Sequence, residues 1–341
     1  MGVESGSDFP YLDLNSTNEE ILKLDQVQRL ERLEKLISQS NQILDVAIDH
    51  FIISRDKKLS KIVVLFSGGN DSTALLYLMK DRANCAVHVN TGTGVPDTYD
   101  YVVETCKELG IELHTFASDD KDSYRNLVFQ YGFPGPGQHF FAYQRLKERA
   151  LRKARRHLNI KGQRIVFVSG KRRDESARRS SADCMSRVDS VVWVSPMVNW
   201  TKTDIETFRK ITPEMRKNPV TDLIHMSGEC LCGAFAHKGE REEIRFFFPE
   251  VIEKIEQLEK EVMELGTIPK ERCNWGWGAY RESRPSKKTG ELCSSCVSAP
   301  QFETEKASHK GAPQFETDNC SHKGTPPFET VKIDHKGGNH V

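Results

Sequence analysis

Residues 61–66 form a compact, β-rich apolar run that stops at Ser67-Gly68-Gly69, and from residue 72 apolar positions resume at helical spacing. Strand, glycine turn and helix in that order constrain the fold more than any other feature of the chain. A strand that passes through a tight turn into such a helix belongs to a parallel sheet with right-handed crossovers. The turn reads Ser67-Gly68-Gly69-Asn70-Asp71-Ser72-Thr73. Its glycines carry no Cβ, so backbone N–H groups can close round an anion, and the helix N-terminus behind them adds a favourable dipole. The hydroxyls of Ser67, Ser72 and Thr73 are suited to donate to phosphate oxygens, and Asp71 to orient the loop or help hold Mg²⁺. With neither Gly-Lys-Ser/Thr nor Gly-x-Gly-x-x-Gly, the loop is not of the Walker or dinucleotide type.

Further strands are expected at 86–90, 112–116, 165–169 and 191–194, with a helix at 98–109. Apolar residues at helical spacing (Leu22, Leu30, Leu33, Ile37, Ile43, Val46, Ile48) place amphipathic helices in residues 1–56. The expected fold class is α/β, a doubly wound parallel sheet over 57–210, followed by a helical, Cys-containing region at 211–298. Residues 299–341 repeat with a period of thirteen: Pro300-Gln-Phe-Glu-Thr, Pro313-Gln-Phe-Glu-Thr and Pro326-Pro-Phe-Glu-Thr each lead into His-Lys-Gly at His309, His322 and His335. So little apolar content cannot bury a core, and a disordered tail is expected.

Lys+Arg and Asp+Glu both number 49, so net charge singles out neither nucleic acid nor a membrane surface as partner. The distribution is less even. Between Arg145 and Arg187 fifteen Lys/Arg face four Asp/Glu, either a polyanion footprint or a solvated helix face with structural ion pairs. No apolar run reaches the roughly 18 residues that span a bilayer, and no charged-then-apolar secretory pattern opens the sequence, so no membrane partner and a cytoplasmic location are expected. Nine cysteines in a reducing compartment suggest metal, cluster or redox use, or buried thiols, rather than a disulfide framework. Cys85 and Cys106 are expected to be buried, and Cys184, beside a run of arginines, is a candidate reactive thiol.

Ser-Gly-Gly-x-Asp-Ser after a strand resembles the PP-loop of the ATP pyrophosphatases. Val89-Asn90-Thr91-Gly92 with Pro96-Asp97-Thr98 is similar to the Asp-Thr-Gly and Pro-Glu-Thr motif of the phosphoadenosine phosphosulfate (PAPS) reductase-like branch. Gly170-Lys-Arg-Arg-Asp-Glu-Ser-Ala-Arg178 resembles its arginine loop, and residues 196–204 its Pro-x-x-x-Trp-Thr-x-x-Asp segment. The resemblance covers roughly residues 60–210. It implies an adenine nucleotide alpha hydrolase-like (HUP-type) fold that binds ATP, PAPS or adenylyl sulfate (APS). The site would comprise residues 67–73 with Thr91, Gly92 and Gly170, and Asp71, Arg172, Arg173 and Arg178 would act on the phosphates. Guanidinium groups at the C-terminal edge of a buried strand suit bidentate phosphate or sulfate contacts, and the alternative is surface pairing with Asp174, Glu175 and Asp183.

The pattern departs from true reductases, whose C-terminal Glu-Cys-Gly-Leu-His has no counterpart beyond Glu229-Cys230-Leu-Cys232-Gly. Cys230 and Cys232 with Cys293 and Cys296 can instead supply four soft ligands for a [4Fe-4S] cluster or Zn²⁺, or remain unligated thiols. Trp275, Trp277 and Tyr280 would shield such a cluster or simply fill core. A PP-loop with a cysteine set resembles the sulfur-transfer members of the branch, including DNA phosphorothioation proteins of Dnd and Ssp type. That implies ATP cleavage with pyrophosphate release, a sulfur donor protein such as a cysteine desulfurase, and a nucleic-acid acceptor matching the basic stretch. A sulfonucleotide reductase and a non-catalytic nucleotide- or nucleic-acid-binding module are the competing readings. The Gly/Pro-rich segment 131–141 is expected to form a lid or acceptor wall, or a plain connection, with His139, Tyr143 and Lys147 the residues of interest.

Overall fold

The computed structural model describes residues 4–5, 16–176 and 179–278. Arg178, Tyr280, Cys293, Cys296 and the repeat tail lie outside the described residues. Two helices lead in, α1 (Asn18–Leu22) and α2 (Gln26–Phe51). Thr17 and Asp25 cap them, each with a reciprocal bond from the residue three positions on. The sheet contains β1 (Glu4–Ser5), β2 (Leu59–Leu65), β3 (Cys85–Asn90), β4 (Leu113–Ala117), β5 (Arg164–Val168), β6 (Met185–Val188) and β7 (Val191–Val194). Its order is β1-β6-β7-β5-β2-β3-β4.

The pairs β2–β3, β2–β5, β3–β4 and β5–β7 are parallel. The chain runs outward from β2 through β3 to β4, then returns to the other side of β2 to lay down β5. The strand order therefore reverses beside β2, the position where open α/β sheets bind ligands. The expected doubly wound parallel sheet is present and carries an antiparallel edge, where β6 folds back on β7 and β1 pairs with β6. Of the four residues of β6 only Met185 is buried, and Ser186 and Arg187 are polar, so the strand lacks the apolar run that marks the inner strands.

Both sheet faces are covered. Ile62, Val64 and Phe66 point into a core shared with α2, α3 (Asn70–Met79), α4 (Pro96–Glu108) and α8 (Lys202–Ile211). Val63, Val87, Ile165 and Phe167 face the other way, onto Ala154 and Leu158 of α7 (Arg149–Leu158). A third cluster packs α5 (Tyr124–Tyr131), α9 (Pro219–Leu223), α10 (Glu240–Phe247) and α11 (Pro249–Leu265) round the segment 230–234. The short α6 (His139–Tyr143) runs into a widened π-helical stretch, Gln144–Glu148, before α7.

The Pro-x-x-x-Trp-Thr-x-x-Asp segment has a structural task. Trp200 Nε1 donates to Ser40 Oγ of α2 at 3.0 Å, and Asp204 completes the capping box of Thr201 at the start of α8 while accepting from Arg32 Nε at 3.0 Å. No helix among the described residues is long and apolar enough to cross a membrane.

Candidate functional site

The loop after β2 opens onto a cleft of about 790 Å³ lined by Ser67, Gly69, Asn70, Asp71 and Ser72 on one wall and by Gly170, Lys171, Arg172 and Arg179 on the other. Gly68 has φ +79°, a left-handed conformation that bends the backbone into the turn, and a Cβ there would meet Thr98 Cγ2 at 3.0 Å. Ser67 and Ser72 share a hydroxyl contact of 3.1 Å, and Ser72 Oγ also donates to the Gly69 carbonyl at 3.0 Å. Among the described residues no protein group accepts from the N–H of Gly68 or Gly69. The first-turn amides of α3 are unpaired by helix geometry, which leaves a nest of donors at the cleft.

Two expected phosphate contacts need correction. Thr73 turns into the core, where its hydroxyl lies 3.0 Å from that of Tyr101, because the helix has already carried it past the rim. Thr91 is buried as well, and its hydroxyl donates to the Glu229 carbonyl at 2.9 Å; it shapes a wall of the cleft rather than lining it. Gly92, at φ +75°, has open space where a side chain would stand. Asn70 lines the cleft but its side-chain oxygen accepts from Arg209 at 3.1 Å.

The arginines divide. Arg172 is buried, and its Nε donates to Asp71 Oδ2 at 2.9 Å, so the arginine loop and the phosphate loop are joined directly. Asp71 is thereby an anchor for a cation before any metal arrives. Arg173 does not line the cleft: it donates to the Ala182 carbonyl and to Asn199 Oδ1. In its place stands Arg179, with Lys171 beside it. Burial and the proximity of like charge push the pKa values of both below their ordinary values. Arg179 also pairs with Glu175, and Asp71 favours its charged form, so an anion in the cleft would meet cations that burial has already stripped of water. The basic helix behind them is largely neutralised: Arg145 and Arg149 both engage Asp122, and Arg152, Lys153 and Arg155 pair with Glu148, Asp119 and Asp189.

Several residues of the site carried no motif. Asn218 is buried and donates to the Gly68 carbonyl at 3.0 Å and to the Ser227 carbonyl at 3.3 Å, stapling the phosphate loop to the segment 225–229. His225 in that segment adopts φ +56° and lines the cleft together with Ser227 and Glu229. Lys147, in the π-helical stretch, donates to Glu229 Oε2 at 2.6 Å. Burial works against its ammonium, yet Glu229 and Cys230 hold its pKa above the usual lysine range. Tyr143 lines the cleft one turn earlier.

The segment 131–141 is pinned rather than lid-like. Phe133 N–H donates to the Arg272 carbonyl, Trp277 Nε1 donates back to the Phe133 carbonyl, and His139 packs on the ring of Phe235 at 4.5 Å. Trp275 is buried with its Nε1 on the Leu231 carbonyl, so it packs over the Cys230–Cys232 turn.

Cys230 is half-buried and accepts from Thr93 Oγ1 at 3.7 Å. A hydrogen bond from Cys232 brings its pKa down to about 6 against the penalty of burial, with Lys147 helping, and the same bond pushes Cys232 up. Cys273 is engaged elsewhere, with the Ile268 and Pro269 carbonyls. Among the described residues no three His, Cys, Asp or Glu side chains converge as a metal-binding group. Cys85, Cys106 and Cys184 are buried.

Residues 61–216 match the model of the phosphoadenosine phosphosulfate reductase domain. The phosphoadenosine 5'-phosphosulfate reductase of Aliivibrio salmonicida is 25% identical over 196 residues, 55% of this chain and 74% of the relative. That of Vibrio vulnificus is 23% identical over 207 residues, 55% of this chain and 77% of the relative. A solved PAPS reductase from Candida auris, in a phosphate complex, superposes with a TM-score of 0.40 at 15% identity, covering 59% of this chain and 93% of its own. Residues 61–216, a little under half of the chain, are thus similar to the phosphoadenosine phosphosulfate reductase domain.

Proposed function

We propose that the cleft binds ATP for attack by an acceptor oxygen on its α-phosphate, which breaks the α–β phosphate bond and releases pyrophosphate, and that sulfur then attacks the acceptor atom bearing the adenylated oxygen and displaces AMP. The observation that carries this reading is the pair of facing walls: the amides of Gly68, Gly69 and the first turn of α3 opposite Lys171, Arg172 and Arg179, joined by the Arg172–Asp71 bond. Preorganised donors and cations round a polyphosphate stabilise the charge that develops on the leaving pyrophosphate. Ser67, Gly68, Gly69, Asn70 and Ser72 with Gly170 would bind the phosphates, Arg172 and Arg179 would steady them, and Mg²⁺ would accompany the nucleotide.

Cys230 and Cys232, two thiols in mutual hydrogen-bond contact, fit half of a soft ligand set for a [4Fe-4S] cluster or Zn²⁺, with Cys293 and Cys296 as the other half. A cluster there would supply thiophilic iron for handling sulfur, from a donor such as a cysteine desulfurase. A nucleic-acid acceptor of the kind modified by Dnd or Ssp proteins would rest on cations left over from the ion pairs of α7. Pyrophosphate released from ATP by purified chain, and lost in Asp71→Ala, is the expected result; a chain that binds neither ATP nor a sulfonucleotide removes the reading.

One observation favours a second reading, sulfonucleotide reduction: Cys230 is a free, half-buried thiol that accepts from Thr93 and that Cys232 and Lys147 bias toward the thiolate, in a chain whose relatives bear the reductase name. Sulfite release from PAPS or APS with thioredoxin would support it, and its absence would leave the ATP reading alone.

A further inference from the structure

Among the described residues that line the cleft, Glu229 alone carries a buried side-chain oxygen with no hydrogen-bond partner. The residue is only 7% exposed. Its Oε2 holds Lys147 Nζ at 2.6 Å, its carbonyl holds Thr91, and its Oε1 holds nothing. A buried carboxylate oxygen left in that state is costly, so its environment is complete only when a donor arrives.

The position of Glu229 says which donor. Phosphates belong at 67–72, while Val87, Val89 and Trp193 give another part of the cleft an apolar patch that suits a base. Glu229 joins the two ends. Its segment touches the phosphate loop through Ser227, whose Cβ would lie 3.2 Å from a Cβ on Gly69, and its carboxylate is tied to Lys147, one helical turn before the cleft-lining Leu151. Between the phosphates and the base of a nucleotide lies the ribose.

We propose that Glu229 Oε1 accepts a hydrogen bond from a ribose hydroxyl, and that its charge makes the cleft select adenine nucleotides with an unphosphorylated ribose, ATP or APS, over 3′-phosphorylated ones such as PAPS. The inference rests on the reading that the cleft binds an adenine nucleotide. A 3′-phosphate would set a dianion against a carboxylate in a wall shielded from water, and Lys147, the nearest cation, is already committed to Oε2.

Calorimetric titration of the full chain tests this without turnover. The unaltered protein should bind AMP about tenfold or more tighter than adenosine 3′,5′-bisphosphate, and lose about tenfold for ATP when a ribose hydroxyl is removed. Glu229→Gln, which keeps an acceptor but removes the charge, should bring AMP and the bisphosphate to near parity. The paired change Lys147→Met with Glu229→Leu, which leaves no orphaned charge, should make ATP and its deoxy analogues equal. A bisphosphate that binds the unaltered protein as tightly as AMP overturns the proposal. So does a result in which inosine triphosphate, lacking the exocyclic amine, is weakened where deoxy-ATP is not, since Oε1 would then face the base. If no adenine nucleotide binds at all, the underlying reading falls with it.

Discussion

Arg172 Nε lies 2.9 Å from Asp71 Oδ2, so a buried guanidinium from the loop after β5 holds the carboxylate of the loop after β2. Asp71→Ala leaves that guanidinium without its main partner. Stability should fall by on the order of 2–3 kcal/mol in urea unfolding, and nucleotide binding should weaken with it. Asp71→Leu combined with Arg172→Met should recover stability but not binding, which separates the fold's need for the pair from the ligand's.

Asn218 offers its amide to two carbonyls and to Thr98 Oγ1. Asn218→Ala strands buried acceptors at once, at a cost of about 1–3 kcal/mol. Calorimetry should show weaker ATP binding although Asn218 does not line the cleft; an unchanged affinity would mean that the staple is irrelevant to loop shape.

Gly68 and Gly92 share left-handed backbone, at φ +79° and +75°, but differ in surroundings. Alanine at either should cost about 1–2 kcal/mol through backbone strain. At Gly68 the new methyl also presses on Thr98 and Val102, so only Gly68→Ala should lose nucleotide binding. Equal binding by the two variants would contradict the assignment of the phosphate loop.

The hydrogen bond from Cys232, with Lys147 nearby, pushes the Cys230 thiol down toward about 6, so its thiolate is expected to be well populated at neutral pH and lost as pH falls through that region. Alkylation by iodoacetamide should be level from about pH 7 to 9 and decline below about pH 6. Cys85 and Cys106, which burial pushes up to about 11 and about 12, should stay unmodified in the native state. Lys147→Met removes a cation from Cys230 and should move its midpoint upward. Mass spectrometry of the labelled peptides reads each site.

The inner strands and the glycine turn were legible because burial on both faces makes a strand an apolar run, and because a phosphate loop needs small residues in fixed order. Where side chains would point was less legible. Thr73 and Arg173 belong to recognisable motifs, yet helix phase and a neighbouring carbonyl take them out of the cleft. Arg179 stood one place beyond the motif. Asn218 gave no local signal and Glu229 only that of a residue flanking Cys230, since a lone Asn or Glu acquires its role only through partners such as Gly68 and Lys147, far away in the chain.

The match to the family domain stops at residue 216, two positions short of Asn218. The candidate cleft therefore extends beyond the matched domain. A fragment cut at that boundary would keep the whole sheet yet forfeit the staple and the far rim with Ser227 and Glu229, ending as a scaffold with half a mouth.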